Sequence, residues 1–124
     1  RTQAIGDKPN TGKKYCADTP QFDCVILGLG EDGHTASIFP GGREALTTKR
    51  MFVAARHPES GQMRLTMSAN AILNSHEIFM LVLGEGKKEI LKRLFADISK
   101  KSPELPASFI VKNASDISIF TDSV

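Results

Sequence analysis

Three things are scarce in these 124 residues: cysteine, long apolar runs and a surplus of either charge. Two cysteines, Cys16 and Cys24, make no disulfide framework, and Cys24 lies in an apolar stretch, so a reduced, cytoplasmic protein is expected. No apolar run nears the ~18 residues of a spanning helix, and Arg1–Gly6 has no signal-peptide core. No membrane partner is therefore expected. A net charge of +2 is too near neutral for a nucleic-acid footprint. Repeats and low-complexity tracts are missing as well. What remains, 40% apolar and 24% charged, is the composition of a globular domain, with length for one. The chain begins with Arg rather than Met, which points to a portion preceding it.

The organising stretch is Phe22–Gly42. Cys24–Leu27 is a short apolar run closed by glycines, which reads as a buried strand emptying into a loop. Before it, residues 1–21 are polar and read as loop, with a helical turn near Lys14–Ala17. Gly6–Lys14 has P-loop-like glycines, but five residues separate them instead of four and no Ser or Thr follows the lysine. Arg43–Lys49 reads as a short helical or irregular link. Met51–Ala55 and Arg64–Ser68 read as strands, and Ala69–Asn74 as a short helix starting near Ser68 or Asn70. Ile78–Leu83 is the second strong buried strand, again followed by glycines, at 84 and 86. Then Ile90, Leu91, Leu94, Phe95 and Ile98 recur at helical spacing among charges, with Pro103 and Pro106 as stops. Phe109–Val111 and Ile117–Phe120 are the last apolar runs, the latter an edge strand.

Strands alternating with helices predict an α/β fold with a mostly parallel sheet flanked by helices. The continuous apolar runs at Val25 and Phe79 predict strands covered on both faces. If those two strands are parallel neighbours, their loops meet at one sheet edge, bringing His34 and Lys87 to one crevice. Open α/β sheets hold ligands at such an edge.

Between Gly28 and His34 stand three glycines, two carboxylates and a histidine. Gly28-Leu-Gly-Glu-Asp-Gly33 matches a dinucleotide fingerprint, yet no ribose-binding acid occurs between Glu44 and Glu59. Glu31 and Asp32 also stand where a pyrophosphate needs positive potential. As chemistry, Asp32 and His34 are the informative pair. Histidine can take a proton from water near neutral pH and return it, and a nearby carboxylate can hold its tautomer. Gly30 and Gly33 would let backbone N–H groups crowd a substrate. Arg64 offers a bidentate fork for an anion, and Lys87 a point charge at a helix start. His57 and His76 have no ligand partners at metal spacing.

Leu27-Gly-Leu-Gly-Glu-Asp-Gly-His-Thr-Ala-Ser-Ile-Phe-Pro-Gly41 closely resembles the signature of the 6-phosphogluconolactonase family. The likeness continues through Arg64-Leu-Thr66, Leu81–Lys87 and Leu105-Pro-Ala-Ser108, covering 22–122 in order. It implies a Rossmann-like fold shared with glucosamine-6-phosphate deaminases, and hydrolysis of 6-phospho-D-glucono-1,5-lactone in the oxidative pentose phosphate pathway. His34 would be the general base, Asp32 its assistant, and Arg64 and Lys87 would face the sugar phosphate. No cofactor or metal is implied, and a monomer is favoured. The deaminases share the Gly-Asp-Gly-His loop but continue to a further carboxylate. Here Thr35-Ala-Ser-Ile-Phe-Pro40 follows, with no acid until Glu44. A sugar-phosphate-sensing module on the same scaffold is the non-catalytic alternative. Family domains are about twice as long, so residues 1–124 are expected to be the carboxy-terminal half of one domain. The Gly-Gly-Ser and Asp-Glu-Arg segments of the other half are not in this sequence.

Overall fold

The computed structural model describes residues 21–123. The lead-in over 1–20, with its P-loop-like glycines and the turn expected near Lys14–Ala17, lies outside them. Among the described residues the elements are β1 (Cys24–Gly28), α1 (Arg43–Thr47), β2 (Phe52–Arg56), β3 (Met63–Met67) and α2 (Ala69–Leu73). Then come β4 (Glu77–Val82), a 3₁₀ turn (Glu85–Lys87), α3 (Lys88–Ile98), α4 (Pro106–Asn113) and β5 (Ile117–Thr121).

β1, β4 and β5 form a parallel sheet in that order, with Ile26 opposite Phe79 and Leu81 opposite Phe120. The two strong apolar runs are thus parallel neighbours, and β5 is an edge strand as expected. β2 and β3 stand apart as an antiparallel hairpin, an arrangement the expected single sheet did not include. His57 and Gly61 (φ +71) close its turn, because a positive φ suits a residue without Cβ.

Helix starts follow local chemistry. Ser68 Oγ accepts the N–H of Ala71, capping α2 and satisfying one of its orphan donors. Pro106 does not stop a helix but opens one, at the first position of α4, where a missing N–H costs nothing. Phe109–Val111 lies inside that helix. In α3, Ile90, Leu91 and Leu94 are buried, whereas Phe95, expected on the apolar stripe, is 54% exposed. It stands 100° around the helix from Leu94, outside the buried arc.

The core lies on one face of the sheet. Val25, Leu27, Ile78, Met80 and Val82 pack with Ile72, Ile90, Leu94 and Ile110 from the helices. Among the described residues no layer covers the other face. Ile26 is 66% exposed and Phe120 50%, so the described residues cover the sheet on one face, where cover on both was expected. No helix among the described residues is long and apolar enough to cross a membrane.

Asp97 ties the helical layer to the loops above it. Its carboxylate is buried at the end of α3 and accepts the N–H groups of Glu104 (3.0 Å) and Leu105 (2.8 Å). Burial opposes its charge, but those N–H donors and the Lys100 ammonium win, holding the carboxyl down at about 2 against an ordinary 3.8. A depressed carboxyl stabilises the fold above its unfolded value and loses that contribution as pH falls through its folded one. The difference amounts to about 2 kcal/mol. Asp97→Asn is therefore expected to lower stability by about 2 kcal/mol at neutral pH in urea titrations, with the deficit shrinking from about pH 4 towards pH 2. A deficit unchanged by acid would refute the ionised role.

Candidate active site

The parallel register puts the carboxyl ends of β1 and β4 side by side, with Gly28 opposite Leu81. β1 runs into the loop Leu29–His34, while β4 runs through Gly84 into the turn that starts α3. Lys87 Nζ crosses between them and donates to the Leu29 carbonyl at 2.7 Å. The two loops expected at one edge are thus bonded together. An ammonium has three donors, so this bond leaves two for an anion.

The loop folds back on itself. The Gly30 N–H donates to the His34 carbonyl (2.8 Å) and the Gly33 N–H to the Gly30 carbonyl (2.9 Å). The N–H groups of both glycines are therefore committed inside the loop. The two glycines also set its shape. Gly33 takes φ +89, and a Cβ there would lie 2.7 Å from Leu105 Cδ2. A Cβ on Gly30 would fall 2.1 Å from the His34 ring. The ring lies directly over this bare backbone.

His34 and Asp32 meet as the spacing suggested. His34 Nδ1 lies 2.5 Å from Asp32 Oδ1, and the same oxygen accepts the His34 backbone N–H at 3.1 Å. Burial works against the Asp32 charge, but the His34 ring and backbone bonds outweigh it and keep its carboxyl below the ordinary value. An ionised acceptor at Nδ1 draws the imidazole proton to that nitrogen and leaves Nε2 with the lone pair. The pair is open to reactants: His34 is 32% exposed and Asp32 45%.

Phe39, which sequence reasoning did not single out, packs beside the ring. Its centroid is 5.1 Å from that of His34 and 5.1 Å from that of His57, making a row of three rings. His57 Nδ1 in turn accepts the N–H groups of Glu59 and Ser60. The signal was an aromatic residue within the motif, five positions after His34, legible only once the loop's return was known. Further props come from neighbouring segments. Thr35 Oγ1 donates to the Gly28 carbonyl (2.8 Å), and the Ala107 N–H to the Gly33 carbonyl (3.0 Å). Ala36 takes φ +52, a costly conformation for a residue with a Cβ, and sits within the turn closed from Ile38 to Thr35.

Arg64 is less closely held. It stands exposed on β3, where it donates to Gln62 Oε1 at 3.4 Å. Thr66, two residues along and on the same strand face, accepts the Ser37 N–H at 3.0 Å. The hairpin therefore abuts the motif through Thr66, with Arg64 about 7 Å further along the strand. Among the described residues no group of three or more His, Cys, Asp or Glu side chains could hold a metal ion.

Residues 3–119 match the model of the family described as glucosamine-6-phosphate isomerases/6-phosphogluconolactonase. A 6-phosphogluconolactonase of Aggregatibacter actinomycetemcomitans is 42% identical over 92 residues, covering 74% of this chain and 39% of that protein. The solved 6-phosphogluconolactonase of Shewanella baltica superposes with a TM-score of 0.72 at 32% identity, over 81% of this chain and 44% of that one. A monomeric glucosamine-6-phosphate deaminase shares the fold (TM-score 0.64, 24% identity), over 80% of this chain and 44% of that one. The chain thus spans under half the length of each of these relatives. Matched by the family model over nearly all its length, it belongs to the glucosamine-6-phosphate isomerase/6-phosphogluconolactonase family.

Proposed function

We propose that this chain carries the general base and part of the substrate site of a 6-phosphogluconolactonase. The complete polypeptide would hydrolyse 6-phospho-D-glucono-1,5-lactone to 6-phospho-D-gluconate. The observation that carries the reading is the Asp32–His34 pair, its Nε2 carrying the lone pair, at the carboxyl edge of the sheet. Relatives named for this activity at 42% and 41% identity support it.

In the proposed reaction His34 Nε2 takes a proton from water as the water oxygen bonds to the lactone carbonyl carbon. Asp32 stabilises the imidazolium that forms. The tetrahedral adduct then collapses, the bond to the ring oxygen breaks, and the imidazolium returns its proton to that oxygen. The products are a carboxylic acid and a hydroxyl group, with the base regenerated. Lys87, fixed near Leu29, and Arg64 on the hairpin are the cations proposed for the phosphate dianion. Gly30 and Gly33 shape the floor beneath the substrate. A monomer in the cytoplasm completes the proposal; the free Cys24 thiol fits a reducing compartment.

The assay is hydrolysis of freshly generated 6-phosphogluconolactone by the complete polypeptide, corrected for spontaneous opening, with glucosamine 6-phosphate as the control substrate. Rapid lactone opening with an inert control is expected. Release of ammonia from glucosamine 6-phosphate would move the assignment to the deaminases. Binding of the sugar phosphate without turnover of either compound would leave a sensor.

A further inference from the structure

The β2–β3 hairpin lies outside the parallel sheet, yet it carries Arg64, one of the two cations proposed for the phosphate. Packing brings it against the His34 motif. Val53 shares a core with Ile38, and the His57 ring rests against Phe39. Apolar contacts tolerate sliding, whereas a hydrogen bond fixes an offset. Among the described residues one hydrogen bond joins hairpin to motif, from the Ser37 N–H to Thr66 Oγ1 at 3.0 Å.

Thr66 is placed to make that bond. It is 3% exposed and stands opposite Val53 in the hairpin. Its hydroxyl donates to the Met67 carbonyl at 3.0 Å, so its proton stays within β3 and a lone pair meets the Ser37 N–H. The motif side is anchored without Thr66. Thr35 Oγ1 donates to the Gly28 carbonyl (2.8 Å), and the Ile38 N–H to the Thr35 carbonyl (2.9 Å). Between them Ala36 keeps φ +52, so the turn presenting the Ser37 N–H is held even at a backbone cost. Loss of the Thr66 oxygen would therefore free the hairpin and leave the His34 loop in place. Arg64 and Thr66 share one strand face, so a slide at Thr66 is a slide at Arg64.

We propose that Thr66 is a positioning residue, whose bond to Ser37 sets the span between the Arg64 guanidinium and the His34 imidazole. The inference rests on the lactonase reading above, in which His34 meets the carbonyl and the cations hold the phosphate. A substrate gripped at both ends binds well only where the grips stand the right distance apart. Lys87 is tied to Leu29 and stays with the loop, which leaves Arg64 as the grip that Thr66 places.

The experiment is steady-state lactone hydrolysis by the complete polypeptide carrying Thr66→Val, which keeps the side chain's shape and removes its hydroxyl. KM is expected to rise at least ~10-fold with kcat within ~2-fold of wild type, the mark of lost binding beside an intact base. Thr66→Ser keeps the oxygen and is expected to hold KM within ~3-fold of wild type. In an Arg64→Ala background, Thr66→Val is expected to add nothing further to KM, because the group it places is gone. A hydroxyl that only stabilised the hairpin would lower the melting temperature and leave KM alone. If Thr66→Val does not fold, Thr66→Cys, a weak acceptor of similar size, is put through the same cycle. An unchanged KM, a loss in kcat instead, or Thr66 and Arg64 effects that multiply would each overturn the inference. Wild type that opens no lactone would instead remove the reading beneath it.

Discussion

His34→Ala is expected to lower kcat for lactone hydrolysis by at least ~10²-fold in the complete polypeptide, with KM nearly unchanged. The magnitude follows from the work assigned to the side chain. A positioned base supplies ~10²–10⁴-fold, and a strained cyclic ester already leans towards opening, so the lower end applies. KM is expected to hold because the phosphate is assigned to Lys87 and Arg64 rather than to the imidazole. Folding is expected to hold as well, since a third of the His34 side chain faces solvent and its one side-chain bond goes to a half-exposed carboxylate. Thermal melting of both proteins checks that point. Equal rates for wild type and variant would remove His34 from the chemistry while leaving the family assignment intact. A raised KM with kcat preserved would instead make the histidine a binding group.

The positions of β1, β4 and α3 were legible because each depends on a short-range pattern. Apolar runs closed by glycines gave the two strands, and spacing of 3.6 gave the helix. The pairing of Asp32 with His34 was legible for the same reason: two residues apart in a glycine-bounded loop, they had little freedom to separate. Four other features depend on how the chain turns and packs rather than on a repeating pattern. Phe39 reaches His34 only after the loop returns on itself, and Asp97 acts on Glu104 and Leu105 across a turn. Pro106 reads equally as a stop or a start until Leu105 is seen in extended conformation before it. One-sided burial of the sheet contradicts the pattern in β1 and β4 because pattern records what a strand is suited to, and cover requires another layer. The internal use of the Gly30 and Gly33 N–H groups was not legible either. Glycine spacing shows where backbone can approach closely, but not which partner it approaches.

Gly30→Ala is the sharpest test of that loop. A Cβ at position 30 would lie 2.1 Å from His34 Cε1 and Nδ1 and 2.8 Å from Nε2, closer than any real contact allows. Phe39, 5.1 Å away between centroids, limits how far the ring can shift in its direction. Partly exposed, it can swing outward into solvent and away from Asp32. The backbone at Gly30 need not move, and no positive φ occurs there. Stability should therefore fall by no more than about 1 kcal/mol, the usual scale for a surface rearrangement. Activity should fall nearly as far as in His34→Ala, by at least ~10²-fold, because a base turned from its carboxylate and from the reacting water supplies nothing. The double variant should then be hardly slower than either single one, the non-additivity of two residues acting as a unit. If the two losses multiply, Gly30 serves the substrate by a route of its own. If Gly30→Ala is fully active, the loop is not held as the Asp32–His34 geometry requires, and the base must be sought elsewhere at this sheet edge.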